Sequence, residues 1–366
     1  MASQAPPNAV TVSLKDLQSN NVTLATLESA FGPDSLGIII VTDLPPRFPA
    51  LRRRVLSSSS YLANLPQHEL SKLENPAANY AVGWSCGKET LADGRYDTLK
   101  GSYYAQPIHS PDGALEAKAK QLYPEVPEFT SENVWPEEGV LPGFEGAFEE
   151  LCRLVVDVAA VVAGCCDRYG VEKLGGYREG TLEGIVRGSV CTKARLLHYF
   201  PPPATTAGSE AGDGDARPDS AMGVDDDWCA SHKDLGALTG LTSQMFVDES
   251  LHPPHPTSSN TFPDLEEMDS HPDPAAGLWI EDRSGRRTQV QIPRDALAFQ
   301  TGEALEVITR GAFKAVPHFV RGGKGGGKVA RNTLAVFTQP NLWEVVEEGT
   351  GRTFAEMGVV NLRGKV

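Results

Sequence analysis

The chain has 366 residues, 40% of them hydrophobic, enough for one large domain or two ordinary ones around a substantial buried core. A formal net charge of -15 and a pI near 5.0 leave no basic surface for nucleic acid or anionic membranes, so a small-molecule substrate is the expected partner. The six cysteines (Cys86, Cys152, Cys165, Cys166, Cys191, Cys229) lack paired Cys-x-x-Cys spacing and read as free thiols. Met1 to Val10 has neither a positive start nor an apolar stretch, and no run approaches the roughly 20 apolar residues of a membrane helix. The expectation is a soluble, cytoplasmic protein of unspecified oligomeric state.

In chain order, Val10 to Leu14 and the apolar run Gly37 to Val41 predict buried strands. Between them lies an amphipathic helix capped near Thr23 and ended by Gly32-Pro33. Helical spacing follows at Arg47 to Ala63, Leu115 to Tyr123 and Phe144 to Tyr169. The last is apolar, but Asp157 interrupts it and Glu149, Glu150 and Arg153 flank it, which suits a core-facing scaffold helix.

From about Val190 the pattern changes to short strands separated by turns. Candidates are Ala194 to Phe200, Ala237 to Val247, Gly277 to Asp282, Thr288 to Ile292, Leu297 to Thr301, Val307 to Thr309, Lys314 to Val320 and Asn332 to Gln339. Ser284-Gly285 predicts a hairpin turn. Roughly eight strands at this spacing predict a double-sheet jelly roll, also called a double-stranded β-helix. The predicted fold class is therefore mainly β with α, a jelly-roll core behind a helical N-terminal region. Its expected organisation is a mixed α/β region over 1–188, the core over 189–345 and a tail over 346–366. Two Pro- and acid-rich stretches within the core, 201–227 and 251–274, read as solvent-exposed, poorly ordered insertions.

The chemistry-bearing residues fall on this core. His232 and Asp234 are two apart, so at a strand end they project to one side and can reach one metal. A distant His318 can complete two imidazoles and a carboxylate on one face of an octahedral ion, leaving three positions open. A lone His-x-Asp is common and carries little weight; the ordered set around it carries more.

That set is Arg195-Leu196-Leu197-His198-Tyr199-Phe200-Pro201-Pro202, Ser231-His232-Lys233-Asp234, Ala298 to Leu305, Pro317-His318 and Arg331-Asn332-Thr333. In this order it resembles the isopenicillin-N-synthase-like Fe(II)/2-oxoglutarate-dependent dioxygenases, over about Arg195 to Pro340. The stretch around Gly37 to Leu44 is similar to the family's N-terminal region. The resemblance implies a dioxygenase that hydroxylates or desaturates a small metabolite, with succinate and CO2 as coproducts. It implies Fe(II) on His232, Asp234 and His318, with 2-oxoglutarate as cosubstrate and O2 as oxidant. Arg331 is implied to pair with the distal carboxylate of 2-oxoglutarate, for which a guanidinium fork is suited. Thr333 supplies the hydroxyl of the usual Arg-x-Ser pair, and Tyr199 could hydrogen-bond the same cosubstrate.

Departures from the pattern are His198 in place of an Asn, Phe200 in place of a second Tyr, a long Asp234-to-His318 interval, and the glycine-rich stretch Arg321 to Lys328. This last reads as a lengthened hairpin tip; as a phosphate loop it lacks the required spacing. Candidate pocket-wall residues are Tyr80, Trp84, Lys100, Ser102, Tyr103 and Tyr104, with Met245 and Phe246. Two other readings stay open: an iron oxidase of the same fold that takes no 2-oxoglutarate, and a non-catalytic binding protein on the scaffold.

Overall fold

The structure, a computed structural model, describes residues 9–89, 96–201, 227–256, 261–323 and 328–363. Its strands are β1 (Val10–Ser13), β2 (Ile38–Thr42), β3 (Gly83–Cys86), β4 (Lys100–Ala105), β5 (Lys193–Tyr199), β6 (Asp227–His232), β7 (Leu238–Thr242), β8 (Met245–Asp248), β9 (Gly277–Glu281), β10 (Arg287–Gln289), β11 (Leu297–Thr301), β12 (His318–Arg321) and β13 (Val329–Thr338). A nine-stranded major sheet runs β1-β2-β11-β7-β13-β5-β4-β3, with β8 also on β13, and a four-stranded minor sheet runs β10-β9-β12-β6. The two sheets form the predicted jelly roll. Strands from both halves of the sequence share the major sheet: β2 pairs antiparallel with β11, and β4 with β5.

Alternation along β2 explains its uninterrupted apolar run. Ile38 and Ile40 pack with Leu278, Ile280, Val290 and Ala298 of the core bearing the minor-sheet residues, whereas Ile39 and Val41 join the larger core with the helices. A strand covered on both faces has no position for a polar residue, and each such side chain contributes about 1.5–3 kcal/mol relative to exposure. The helices Phe48–Ala63 and Phe144–Lys173 back the major sheet, the second using Leu151, Leu154, Val155, Val158, Ala159 and Val162. At Gly240 on β7 an added Cβ would lie 2.3 Å from Val155 Cγ1, so only glycine lets the helix approach this closely. Thr23 caps the helix Leu24–Phe31 as predicted, its Oγ1 accepting from the Thr26 amide at 3.1 Å.

Several expectations are corrected. The predicted strand Val307 to Thr309 belongs mostly to the helix Glu303–Ile308, whose buried Ala304, Leu305 and Ile308 follow helical spacing. Ala237 to Val247 divides into β7 and β8, and the segment from Lys314 becomes a strand only at His318. Strand β4 was not predicted; Gly101 and Ser102 weaken its pattern, and pairing to β3 and β5 supplies what the local sequence lacks.

Where it is described, the 251–274 stretch is mostly exposed but anchored to the protein at a few positions. Phe262 and Leu265 are buried, Tyr61 Oη donates to the Pro263 carbonyl at 2.9 Å, and Arg52 forms a buried ion pair with Glu267 at 2.8 Å. Its polar composition hides this because the helix Phe48–Ala63 supplies the apolar and cationic partners. Positions 202–226 of the other insertion, and 324–327 of the glycine-rich turn, lie outside the described residues. All six cysteines are free, and among the described residues no helix is long and apolar enough to cross a membrane.

Candidate metal centre

His232 ends β6 and His318 begins β12, and these positions pair directly in the minor sheet. Asp234 follows β6 by two residues. One potential ligand atom from each of the three residues falls in a group spanning no more than 4.8 Å, with Asp234 Oδ1 3.5 Å from His232 Nε2 and 3.7 Å from His318 Nε2. The far interval from Asp234 to His318 is thus closed by a cross-strand pair.

The hydrogen bonds around these side chains fix which atoms face inward. His232 Nδ1 donates to the Ala230 carbonyl at 2.9 Å, and His318 Nδ1 lies 3.4 Å from the Val316 carbonyl. A carbonyl accepts only, so each Nδ1 carries a proton, and Nε2 is the atom that offers a lone pair to a metal when the ring is neutral. Asp234 Oδ2 accepts from Thr239 Oγ1 at 2.6 Å, leaving Oδ1 turned toward the histidines. Backbone and hydroxyl partners that orient imidazole and carboxylate donors are the usual support of a metal site. Two nitrogens and one oxygen suit a divalent first-row transition metal.

Electrostatics point the same way. Burial raises the pKa of Asp234, yet His318, His232 and Thr239 hold it at about 2. Burial disfavours charge on His232, but hydrogen bonds and charge from Asp234 and Cys229 outweigh this and push it up to about 11. His318 is shifted down by burial, with Asp234 opposing and His232 reinforcing. Without metal the three groups therefore hold one imidazolium beside one carboxylate, and a bound cation replaces that proton.

A cavity between the sheets joins this centre to Arg331, Thr333 and Tyr199. Arg331 and Tyr199 are opposite each other on β13 and β5, with the guanidinium carbon 4.9 Å from the Tyr199 ring centre. Arg331 Nε donates to Gln244 Oε1 at 2.9 Å. The structure therefore brings together His232, Asp234, His318, Arg331, Thr333 and Tyr199, every site residue expected from the sequence.

The pocket-wall expectations fare differently, since none of those residues lines this cavity. Tyr103 packs outward on Trp135, Phe144 and Phe148, Trp84 is buried in the same core, and Met245 is buried in it too. Lys100, Ser102 and Tyr104 do reach a cavity residue indirectly, through a cluster around Arg195. His198 faces away from the cavity, so its departure from the family pattern leaves the lining unchanged. Sequence reasoning did not single out Thr239, Gln244 or the cavity side of Arg195; each depends on strand register, although Arg195 stood within the segment that carried the resemblance.

No protein-family model matches the sequence, and no curated protein matches it. Solved structures do share its fold. A full-length Neurospora crassa protein in complex with alpha-KG has a TM-score of 0.66 at 16% identity, covering 100% of this chain and 98% of that one. A putative 2OG-Fe(II) oxygenase family protein from Caulobacter crescentus has a TM-score of 0.66 at 17% identity, covering 99% and 100%. The rice dioxygenase for auxin oxidation has a TM-score of 0.58 at 13% identity, covering 98% and 96%. The chain has the fold of the 2OG-Fe(II) oxygenases along its whole length.

Proposed function

We propose that the chain is an Fe(II)- and 2-oxoglutarate-dependent dioxygenase that oxidises a small-molecule metabolite by hydroxylation or desaturation. The observation that carries this reading is the oriented donor set: two Nε2 atoms and Asp234 Oδ1 converge while Nδ1 and Oδ2 are held by other protein atoms. His232, Asp234 and His318 hold the iron. When bound, it supplies activation of O2 coupled to conversion of 2-oxoglutarate to succinate and CO2.

Arg331 binds the distal carboxylate of 2-oxoglutarate, and Tyr199 and Thr333 offer hydroxyls beside it on the same face. Leu197, Leu241, Val320 and Phe337 line the remaining wall and exclude water from the oxidising centre. The Neurospora crassa protein is also solved with thymine and with 5-formyluracil, both compact molecules, which supports a substrate of similar scale here.

Calorimetric titration of the anaerobic Fe(II) protein with 2-oxoglutarate tests the reading. Saturable binding is expected, weakened about a hundredfold by Arg331→Ala, in line with losing a charge-assisted bidentate contact. An active, iron-loaded enzyme indifferent to 2-oxoglutarate would sink it and favour the cosubstrate-free oxidase.

A further inference from the structure

Arg195 lines the same cavity as Arg331 but lies four residues along β5 from Tyr199, the strand partner of Arg331. At ~3.3 Å per residue this separates the two arginines' strand positions by roughly 13 Å. They therefore serve different subsites.

Their surroundings differ as well. Arg195 Nη2 lies 2.5 Å from Glu89 Oε1, and Nη2 and Nε donate to Ser102 Oγ at 2.8 and 3.1 Å. Lys100 bridges Glu89 and Asp97, each at 2.9 Å, and Tyr104 donates to Glu89 Oε1 at 3.1 Å. Two cations, Arg195 and Lys100, thus face two carboxylates, Glu89 and Asp97, and the cluster carries no net charge. Among the described residues no protein group accepts from Arg195 Nη1.

We propose that Arg195 is a substrate-orienting residue, and that through Nη1 it selects a compact, neutral substrate bearing a carbonyl oxygen, as in an amide or lactam, over a carboxylate. A compensated guanidinium keeps its donors but offers little net field to an anion. A second carboxylate at this end of the cavity would also sit beside Glu89 and meet like-charge repulsion. A carbonyl takes the hydrogen bond without that repulsion, while its apolar body meets Leu197, Leu241, Ala335 and Phe337. This deepens the dioxygenase reading and rests on it.

The test is calorimetry on the full chain, metal-free and again with Mn(II) and 2-oxoglutarate, using 2-piperidone and cyclopentanecarboxylate as probes. Wild type is expected to bind the lactam at least tenfold more tightly than the carboxylate. Arg195→Met should lose at least tenfold in lactam affinity with 2-oxoglutarate affinity unchanged within twofold. Glu89→Gln should gain about tenfold for the carboxylate.

Tighter carboxylate binding by wild type overturns the proposal, as does lactam binding that ignores a folded Arg195→Met. Failure to take up either probe overturns it too. If Arg195→Met does not fold by circular dichroism, Arg195→Lys and Glu89→Gln decide the matter: an unchanged preference in both refutes it. Failure of wild type to bind 2-oxoglutarate would count against the dioxygenase reading instead, because the probe preference is also read on metal-free protein.

Discussion

The β5–β13 pair carries polar side chains on both faces, and the faces use them in opposite ways. Toward the minor sheet, Arg195, Tyr199, Arg331 and Thr333 line a cavity together with His232, Asp234 and His318. Toward the helix Phe48–Ala63, His198 Nδ1 bonds Asn332 Oδ1 at 2.8 Å, Asn332 Nδ2 donates to Ser60 Oγ at 2.8 Å, and His198 Nε2 faces Glu249 Oε1 at 3.8 Å. Burial favours the neutral forms in this outer group, lowering His198 to about 4 against the weaker opposing hydrogen bond from Asn332. It raises Glu249 to about 7 against hydrogen bonds from Ser60 and Asn64. Adjacent residues such as His198 and Tyr199 therefore serve different ends: polar groups paired with one another hold the helix to the sheet, and polar groups turned into a cavity are arranged for ligands.

Substitutions on the two faces should separate accordingly. Asp234→Ala removes the anionic donor, and Fe(II) affinity measured by anaerobic titration should fall more than about a hundredfold with turnover abolished; near-wild-type affinity would mean that the metal sits elsewhere. Arg331→Ala should cost about a hundredfold in 2-oxoglutarate affinity, roughly 3 kcal/mol, and leave Fe(II) binding in place.

On the outer face the expected effect is on stability and its pH dependence. Glu249 has a folded-state pKa raised from 4.5 to about 7, so its contribution is fully present below about 4.5 and is lost as pH rises through about 7. Denaturant unfolding of Glu249→Gln should lack that part of the decline, up to roughly 3 kcal/mol between pH 4.5 and 7, with 2-oxoglutarate affinity unchanged. A parallel loss of cosubstrate binding would show that the faces are coupled. The smallest effect belongs to Thr239→Val, which frees Asp234 Oδ2: about a tenfold loss in metal affinity, with little change in 2-oxoglutarate binding by Mn(II)-saturated protein.

Most strands with a clean apolar rhythm were legible from the chain, β2 and β11 among them, because burial on both faces leaves a run that few other structures tolerate. Those whose stability comes from their neighbours were not: Lys100–Ala105 gains its place by pairing on two sides, and Asp227–His232 by pairing with β12. The anchoring of the acid- and proline-rich stretch around Leu265 was hidden for the same reason, since its partners Arg53 and Ser57 lie some two hundred residues earlier. At the site, the candidate donors were legible while their orientation was not. Nothing local reveals that Thr239 holds Asp234, or that Gln244 holds Arg331.

By itself the sequence set the expectation of a jelly roll and offered His232, Asp234 and His318 as candidate donors, because residue chemistry and strand period are local properties of the chain, while the resemblance added Arg331, Thr333 and Tyr199. The tertiary structure alone decided that the two histidines meet as a cross-strand pair with Nε2 inward. It also decided that Arg195 is charge-compensated where Lys100, Glu89 and Asp97 converge. Register between distant strands sets both, and a one-residue slip would turn every one of these side chains to the opposite face.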